Sequence, residues 1–188
     1  IASRFGGGLR DRALSDYSLL GISNREAQEM DPHQTELLKC ASVASESDCA
    51  TSLDSAVMVG ISAYVSLQNF EFQAALRQKI NAYTATSNAI SVAAGRIAFL
   101  FGLTGETASV DTACSSSLVA LAAARRALMH STAESGLVFG VSILLTASAS
   151  NAFAASGMLA RDGRCKTLEE SANVYKRSEA CLRCVLSV

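Results

Sequence analysis

Val110-Asp111-Thr112-Ala113-Cys114-Ser115-Ser116-Ser117-Leu118-Val119-Ala120 joins two elements of different period. Upstream, Gly105-Glu106-Thr107-Ala108-Ser109 reads as a short strand. Downstream, Leu118 to Met129 reads as a buried helix. Cys114 falls at the junction. A thiol there faces the unpaired N–H groups and the positive end of the helix, and both favour thiolate over thiol. The stretch predicts a strand–turn–helix elbow that presents a nucleophile.

Working outward, apolar runs alternate with helical patterns. Ala56-Val57-Met58-Val59-Gly60-Ile61 and Ser135-Gly136-Leu137-Val138-Phe139-Gly140-Val141 read as buried parallel strands. Ser23 or Asn24 caps a short helix through Glu29. Pro32 opens a second helix to about Ser47, with Leu37, Leu38, Ala41 and Ala44 on its apolar face. Residues 64–83 are mixed, and Phe70, Phe72, Ala75 and Leu76 suggest a helix there. A clearer helix starts at Ser87 or Asn88, is lined by Ile90, Ala93, Ala94, Ile97, Leu100 and Phe101, and stops at Gly102. Ala152 to Met158 reads as a short helix, Ala160 to Arg164 as a turn and Glu179 to Val188 as a final strand. The order implies an α/β layered domain with a mostly parallel sheet.

Composition narrows the function classes. The 188 residues are 49% hydrophobic and 18% charged, enough for one domain with a sizeable core. A net charge of −1 and the absence of a basic, aromatic-rich patch argue against nucleic acid as a partner. Arg96, Arg125 and Arg126 interrupt the apolar stretches, so no membrane span is expected. The six cysteines, 40, 49, 114, 165, 181 and 184, do not resemble a disulfide scaffold and predict reduced thiols in the cytoplasm. Cys181 and Cys184 share the Cys-x-x-Cys spacing, but on a strand they face opposite sides. No metal site follows, and all the cysteines besides Cys114 read as core residues. Ser115, Ser116 and Ser117 read as first-turn residues that satisfy helix N–H groups, and Asp111 as a brace for the turn. His130 reads as a dipole partner at a helix end, and Arg125 and Arg126 as a solvated edge.

The elbow Asp111-Thr112-Ala113-Cys114-Ser115-Ser116-Ser117-Leu118 resembles the nucleophile motif of the β-ketoacyl synthase family, most closely the type I polyketide ketosynthases. Leu20-Gly21-Ile22-Ser23 with Arg25-Glu26-Ala27 and Met30-Asp31-Pro32 is similar to the family's early signature. Asn88-Ala89-Ile90-Ser91-Val92-Ala93-Ala94 with Arg96-Ile97 is similar to its helix before the elbow. Gly157-Met158-Leu159 through Asp162-Gly163-Arg164-Cys165-Lys166-Thr167, and then Glu179 and Cys181, continue the match in order. The chain departs from the family at Thr35, between Lys39 and Ser52, and at Ser178, Ala180, Leu182 and Arg183, as a divergent member would.

The resemblance implies a thiolase-like fold, of which residues 1–188 are the N-terminal half of a partial β-ketoacyl synthase domain. It implies Cys114 as the nucleophile that carries the acyl thioester, its own backbone N–H serving as one oxyanion donor. Substrates are acyl and malonyl thioesters, delivered on the phosphopantetheine arm of an acyl carrier protein, with no cofactor bound directly. The reaction is decarboxylative Claisen condensation, and a homodimer is expected. The family's two catalytic histidines belong to motifs of its second half. His33 and His130 match neither motif and take no catalytic role. The alternatives are a fatty-acid synthase condensing domain and a non-catalytic scaffold that sets chain length. This half alone is not expected to condense.

Overall fold

The computed structural model describes residues 7–9, 17–45, 52–62 and 82–187. The helix expected within 64–83 and Cys49 lie outside them. Four strands form one sheet: β1 (Ser55–Gly60), β2 (Thr107–Val110), β3 (Ser135–Ser142) and β4 (Ala180–Ser187), in the order β2-β1-β3-β4. β1 pairs parallel with both β2 and β3, and β4 runs antiparallel to β3. All six residues of β1 are buried, as its unbroken apolar run requires of a central strand.

Side-chain alternation along the strands sorts the core into two layers. Val57, Val59, Leu137, Phe139 and Val141 point to one face. They pack there with Leu37, Leu38 and Ala41 of α2 (Pro32–Ser45) and Ala93, Ala94 and Ile97 of a later helix, Ile90–Leu100. Ala56, Met58 and Val138 point to the other face. They meet Ala120, Ala124 and Ala127 of the helix Ser116–Met129. The second layer is almost entirely alanine, so that helix lies close to the sheet.

α1 (Asn24–Glu29) starts as expected, with Ser23 Oγ accepting the Glu26 N–H at 3.2 Å. The helix expected from Ser87 or Asn88 begins at Ile90 as α4 (Ile90–Leu100), and the extended Ala89 parts it from a separate short helix, α3 (Thr84–Asn88). The break has a polar cause. Gln34 Nε2 on α2 donates toward the carbonyls of Thr86, Ser87 and Ala89, and its Oε1 accepts from Arg96 Nε at 2.9 Å. Arg96 also pairs with Glu26, so one buried network ties α1, α2 and α4 together. Gly102, at φ +65°, ends α4. Leu103 N–H reaches Ala98 O and Gly102 N–H reaches Phe99 O, which satisfies the last carbonyls.

The helix that follows the elbow is α5 (Ser116–Met129), and a last helix, α6, spans Ala147–Ala155. The expected helix at 152–158 is therefore shifted toward the N-terminus. Gly157, at φ +74°, stops it before Met158, and the small residues Ala147 to Ser150 carry no apolar period from which to read its start. α5 is buried on one face only. Leu118 is 69% exposed and Met129 64%, so the expectation of a buried helix holds for its alanine face and not for the opposite one.

His33 is a core residue. Its Nδ1 lies 2.6 Å from Asp31 Oδ1, and its Nε2 accepts the Ile143 N–H at 3.1 Å. An amide donating to Nε2 places the ring proton on Nδ1, which donates to the carboxylate. The ring thus fastens the start of α2 to the segment leaving β3. His33→Ala strands a buried amide and weakens a buried carboxylate's support. It is expected to lower stability by about 2–4 kcal/mol in urea unfolding of the intact protein, and a loss below about 0.5 kcal/mol contradicts this role.

Candidate active site

The C-terminal ends of parallel strands are where α/β sheets place their sites. Gly60 ends β1, and its partner in register on β3 is Gly140. A Cβ on Gly60 would stand 2.6 Å from Ser117 N, and one on Gly140 2.5 Å from Ser117 Oγ. At Gly60 the obstacle is the helix backbone, so no side chain fits there; at Gly140 it is the Ser117 hydroxyl, which a Cβ would displace. The paired glycines make a bare floor on which the first turn of α5 rests. Farther along, a Cβ on Gly136 would come within 3.2 Å of Ala124 Cβ, so the close approach continues down the helix.

The elbow itself is a short polar knot. β2 ends at Val110, whose carbonyl accepts the Ile61 N–H at 3.0 Å. Asp111 Oδ1 accepts the Ala113 N–H at 3.0 Å, the bracing role expected of it. Ser116 Oγ accepts the Thr112 N–H at 2.9 Å and donates to Ala113 O at 2.7 Å. Ser115 Oγ donates to Thr112 O at 2.8 Å. The serines therefore lock the turn before the helix, and none caps α5 from its N-cap position. This corrects the expectation that they satisfy helix N–H groups. Here the two hydroxyls are taken up by local hydrogen bonds to the loop backbone, which compete with capping.

Ala113 holds φ +56°, a left-handed conformation that costs a residue with a Cβ about 1 kcal/mol or more. The strain sits one residue before Cys114, within the single 3-10 turn Ala113–Ser115. Cys114 is exposed, and among the described residues nothing hydrogen-bonds its sulfur or accepts its backbone N–H. A free amide beside a free sulfur, at the start of a 14-residue helix, suits an atom that attacks a carbonyl and a donor that receives the resulting oxyanion.

The other sequence-derived positions lie elsewhere. His130 caps the C-terminus of α5 with Arg126 in its last turn, both favourable there, and Arg125 and Arg126 are exposed. Cys165 and Cys184 are exposed, which overturns their reading as core residues. Cys165 Sγ instead accepts the Lys176 N–H at 3.2 Å. Cys40 and Cys181 are half-buried on the α2 side of the sheet. Glu179, legible in the sequence only as part of a motif, has a structural task. Its carboxylate accepts the N–H groups of Leu144 and Leu9, which joins the start of β4 to two other segments. Among the described residues no group of three metal-ligating side chains exists. Two cavities of about 300 and 390 Å³ flank α6 and α2, and Cys114 lines neither. Sequence reasoning missed Gly60 and Gly140 as site residues, although a glycine inside an apolar strand signals close backbone approach.

The sequence model described as the β-ketoacyl synthase N-terminal domain matches residues 1–187. A phenolphthiocerol/phthiocerol polyketide synthase of Mycobacterium tuberculosis is 38% identical over 186 residues, which are 95% of this chain and 12% of that protein. Polyketide synthase GfsB of Streptomyces halstedii is 39% identical over 176 residues, 91% of this chain and 3% of that protein. The chain therefore spans a small part of these relatives. Among solved structures, the oxazolomycin ketosynthase domain OzmH KS7 from Streptomyces albus superposes with a TM-score of 0.80 at 28% identity, over 97% of this chain and 32% of that one. A ketosynthase from module 6 of the bacillaene synthase of Bacillus subtilis gives 0.72 at 29%, over 92% and 28%.

The seat of α5 is testable through glycine. Gly60→Ala forces α5 away from the sheet, and Gly140→Ala pushes the Ser117 hydroxyl out of its seat. Each is expected to cost about 2–3 kcal/mol and to slow alkylation or acylation of Cys114 in the intact protein. Gly95, exposed on α4 with nothing within 4 Å of its would-be Cβ, is the control, and Gly95→Ala is expected to be neutral or to stabilise by about 0.5–1 kcal/mol. Equal tolerance at all three positions contradicts the seat.

Proposed function

The chain belongs to the β-ketoacyl synthase family, through its N-terminal domain, and on that premise we propose that it supplies the nucleophile half of a ketosynthase in polyketide biosynthesis. The named relatives, polyketide synthases in each case, favour that pathway over fatty-acid synthesis. The observation that carries the reading is the elbow: an exposed Cys114 with an unclaimed N–H, on a turn that the serines and Asp111 hold rigid.

In this reading Cys114 Sγ attacks the carbonyl carbon of an acyl thioester on the phosphopantetheine arm of an acyl carrier protein. The carbonyl electrons move to oxygen, and the Cys114 N–H donates to that oxyanion. Collapse breaks the bond to the pantetheine sulfur, which leaves as a thiol, and the acyl group stays on Cys114. A malonyl-type thioester then loses CO₂. Its carbanion attacks the acyl carbon, the bond to Cys114 breaks, and the β-ketoacyl product leaves on the carrier. The second oxyanion donor and the donors to the enolate come from outside these residues. The rigid turn keeps Sγ and N–H in fixed relation through both steps, so neither step has to reorganise them.

The same placement supports a homodimer. β2 is the terminal strand of the described sheet and leads directly into the elbow, which suits a partner strand beside it. Among the described residues no helix is long and apolar enough to cross a membrane.

Cys114→Ala is expected to abolish acyl loading from an acyl-carrier thioester, read by mass spectrometry of the intact protein, with its fold retained by circular dichroism. Acylation that persists at another residue contradicts the assignment. The isolated 188 residues are expected to form no β-ketoacyl product, and product from them overturns the division of labour between halves.

A further inference from the structure

α6 turns one face toward a cavity of about 300 Å³. Ala147, Ser150, Asn151 and Ala154 recur at helical spacing, so they share that face, and all four line the cavity. Leu144 and Leu145, on the segment that leaves β3, line it as well. Lys176 and Arg177 reach it from a later part of the chain. A parallel bridge between Leu159 and Tyr175 carries them there, with the Ala160 N–H donating to Tyr175 O at 2.9 Å. These walls are fastened. Glu179 accepts the Leu144 N–H at 3.0 Å, and Cys165 Sγ accepts the Lys176 N–H at 3.2 Å. The Arg177 guanidinium lies over the Phe153 ring, 5.1 Å from its centre, and donates to Ser150 Oγ at 3.2 Å.

The chemistry of the lining is one-sided. It holds two cations and no carboxylate. Ser150 Oγ accepts from Arg177, so its own O–H proton is left to donate, and among the described residues it meets no acceptor. The Asn151 amide has no hydrogen-bond partner among them either. Donors from α6 and from residues 176 and 177 thus share one space with the side chains of Leu144, Leu145, Ala154 and Leu159.

We propose that this cavity binds a carboxylate carried on a short aliphatic chain, at a site separate from Cys114. The carboxylate oxygens accept from Arg177, Lys176 and the Ser150 hydroxyl, and the chain lies against the leucines. Simpler occupants satisfy only half of the lining. An inorganic anion leaves the leucines wet, and an alcohol of the same length brings no charge to the two cations. An aliphatic ammonium is repelled. The ligand touches α6, the segment after β3 and residues 176 and 177 together, so it binds the folded chain and stabilises it. The inference does not depend on the reaction proposed for Cys114, which lines no part of this cavity.

The test titrates the intact protein with sodium octanoate by isothermal titration calorimetry. Saturable binding with a Kd below about 1 mM is expected, together with a rise in the thermal midpoint at saturation. Octanol is expected to bind at least about tenfold more weakly, and so is octanoate to Arg177→Gln and to Lys176→Gln. Lys176→Gln keeps the backbone bond to Cys165, so its loss of binding reads the charge and not the fold. Cys114→Ala is expected to bind octanoate as the wild type does. Octanol binding as tightly as octanoate overturns the proposal, and that comparison needs no variant. So does octanoate binding that both charge variants leave unchanged, or an absence of saturable binding at about 1 mM. Loss of binding in Cys114→Ala places the octanoate at the elbow and overturns the separate site.

Discussion

The contact of the first turn of α5 with Gly60 and Gly140 is the constraint on which the rest of this structure depends. Two glycines in register on neighbouring parallel strands remove the side chains that would hold a helix off a sheet. The helix drops onto the backbone, and the alanines 120, 124 and 127 let it lie flat along its length. At Gly60 the approach fixes the helix start in depth, because backbone meets backbone and no rotamer can give way, and Gly140 leaves room for the Ser117 hydroxyl. The position of Cys114 follows from that depth.

The elbow accommodates the result. A strand that ends at Val110 and a helix that must begin at Ser116 leave five residues to turn the chain. The geometry is met by placing Ala113 in a left-handed conformation. Asp111 and Ser116 hold that strain with hydrogen bonds from both sides of the bend. In the proposed reaction, strain held this way is a form of preorganisation, since Cys114 is placed before any substrate arrives. The opposite side of the sheet is built differently. There Gln34, Arg96 and Glu26 join the helices through one polar network, and His33 ties α2 to the end of β3.

Much of this was legible before any coordinates. Unbroken apolar runs announced β1 and β3, Pro32 the start of α2, and Gly102 the end of α4, because each signal is local and one principle governs it. The motif around Cys114 announced the family, and the nucleophile proposed for it is read from the same residues. What escaped was set by contacts distant in sequence. The break at Ala89 depends on Gln34, 55 residues away. The pairing of Gly60 with Gly140 depends on strand register. Alternation correctly separated the half-buried Cys181 from the exposed Cys184. The place of Ser116 in the sequence assigns it to the helix, although its hydroxyl serves the turn.

The glycine-seated elbow has one central consequence: it presents Cys114 sulfur and Cys114 N–H together to one carbonyl. An experimental structure of the intact protein trapped with an acyl group tests it most directly. The expected result is a thioester on Cys114 Sγ whose carbonyl oxygen lies about 2.7–3.1 Å from Cys114 N, with the turn unchanged about Ala113. An acyl group on another residue, or a carbonyl oxygen directed away from that amide, would contradict it.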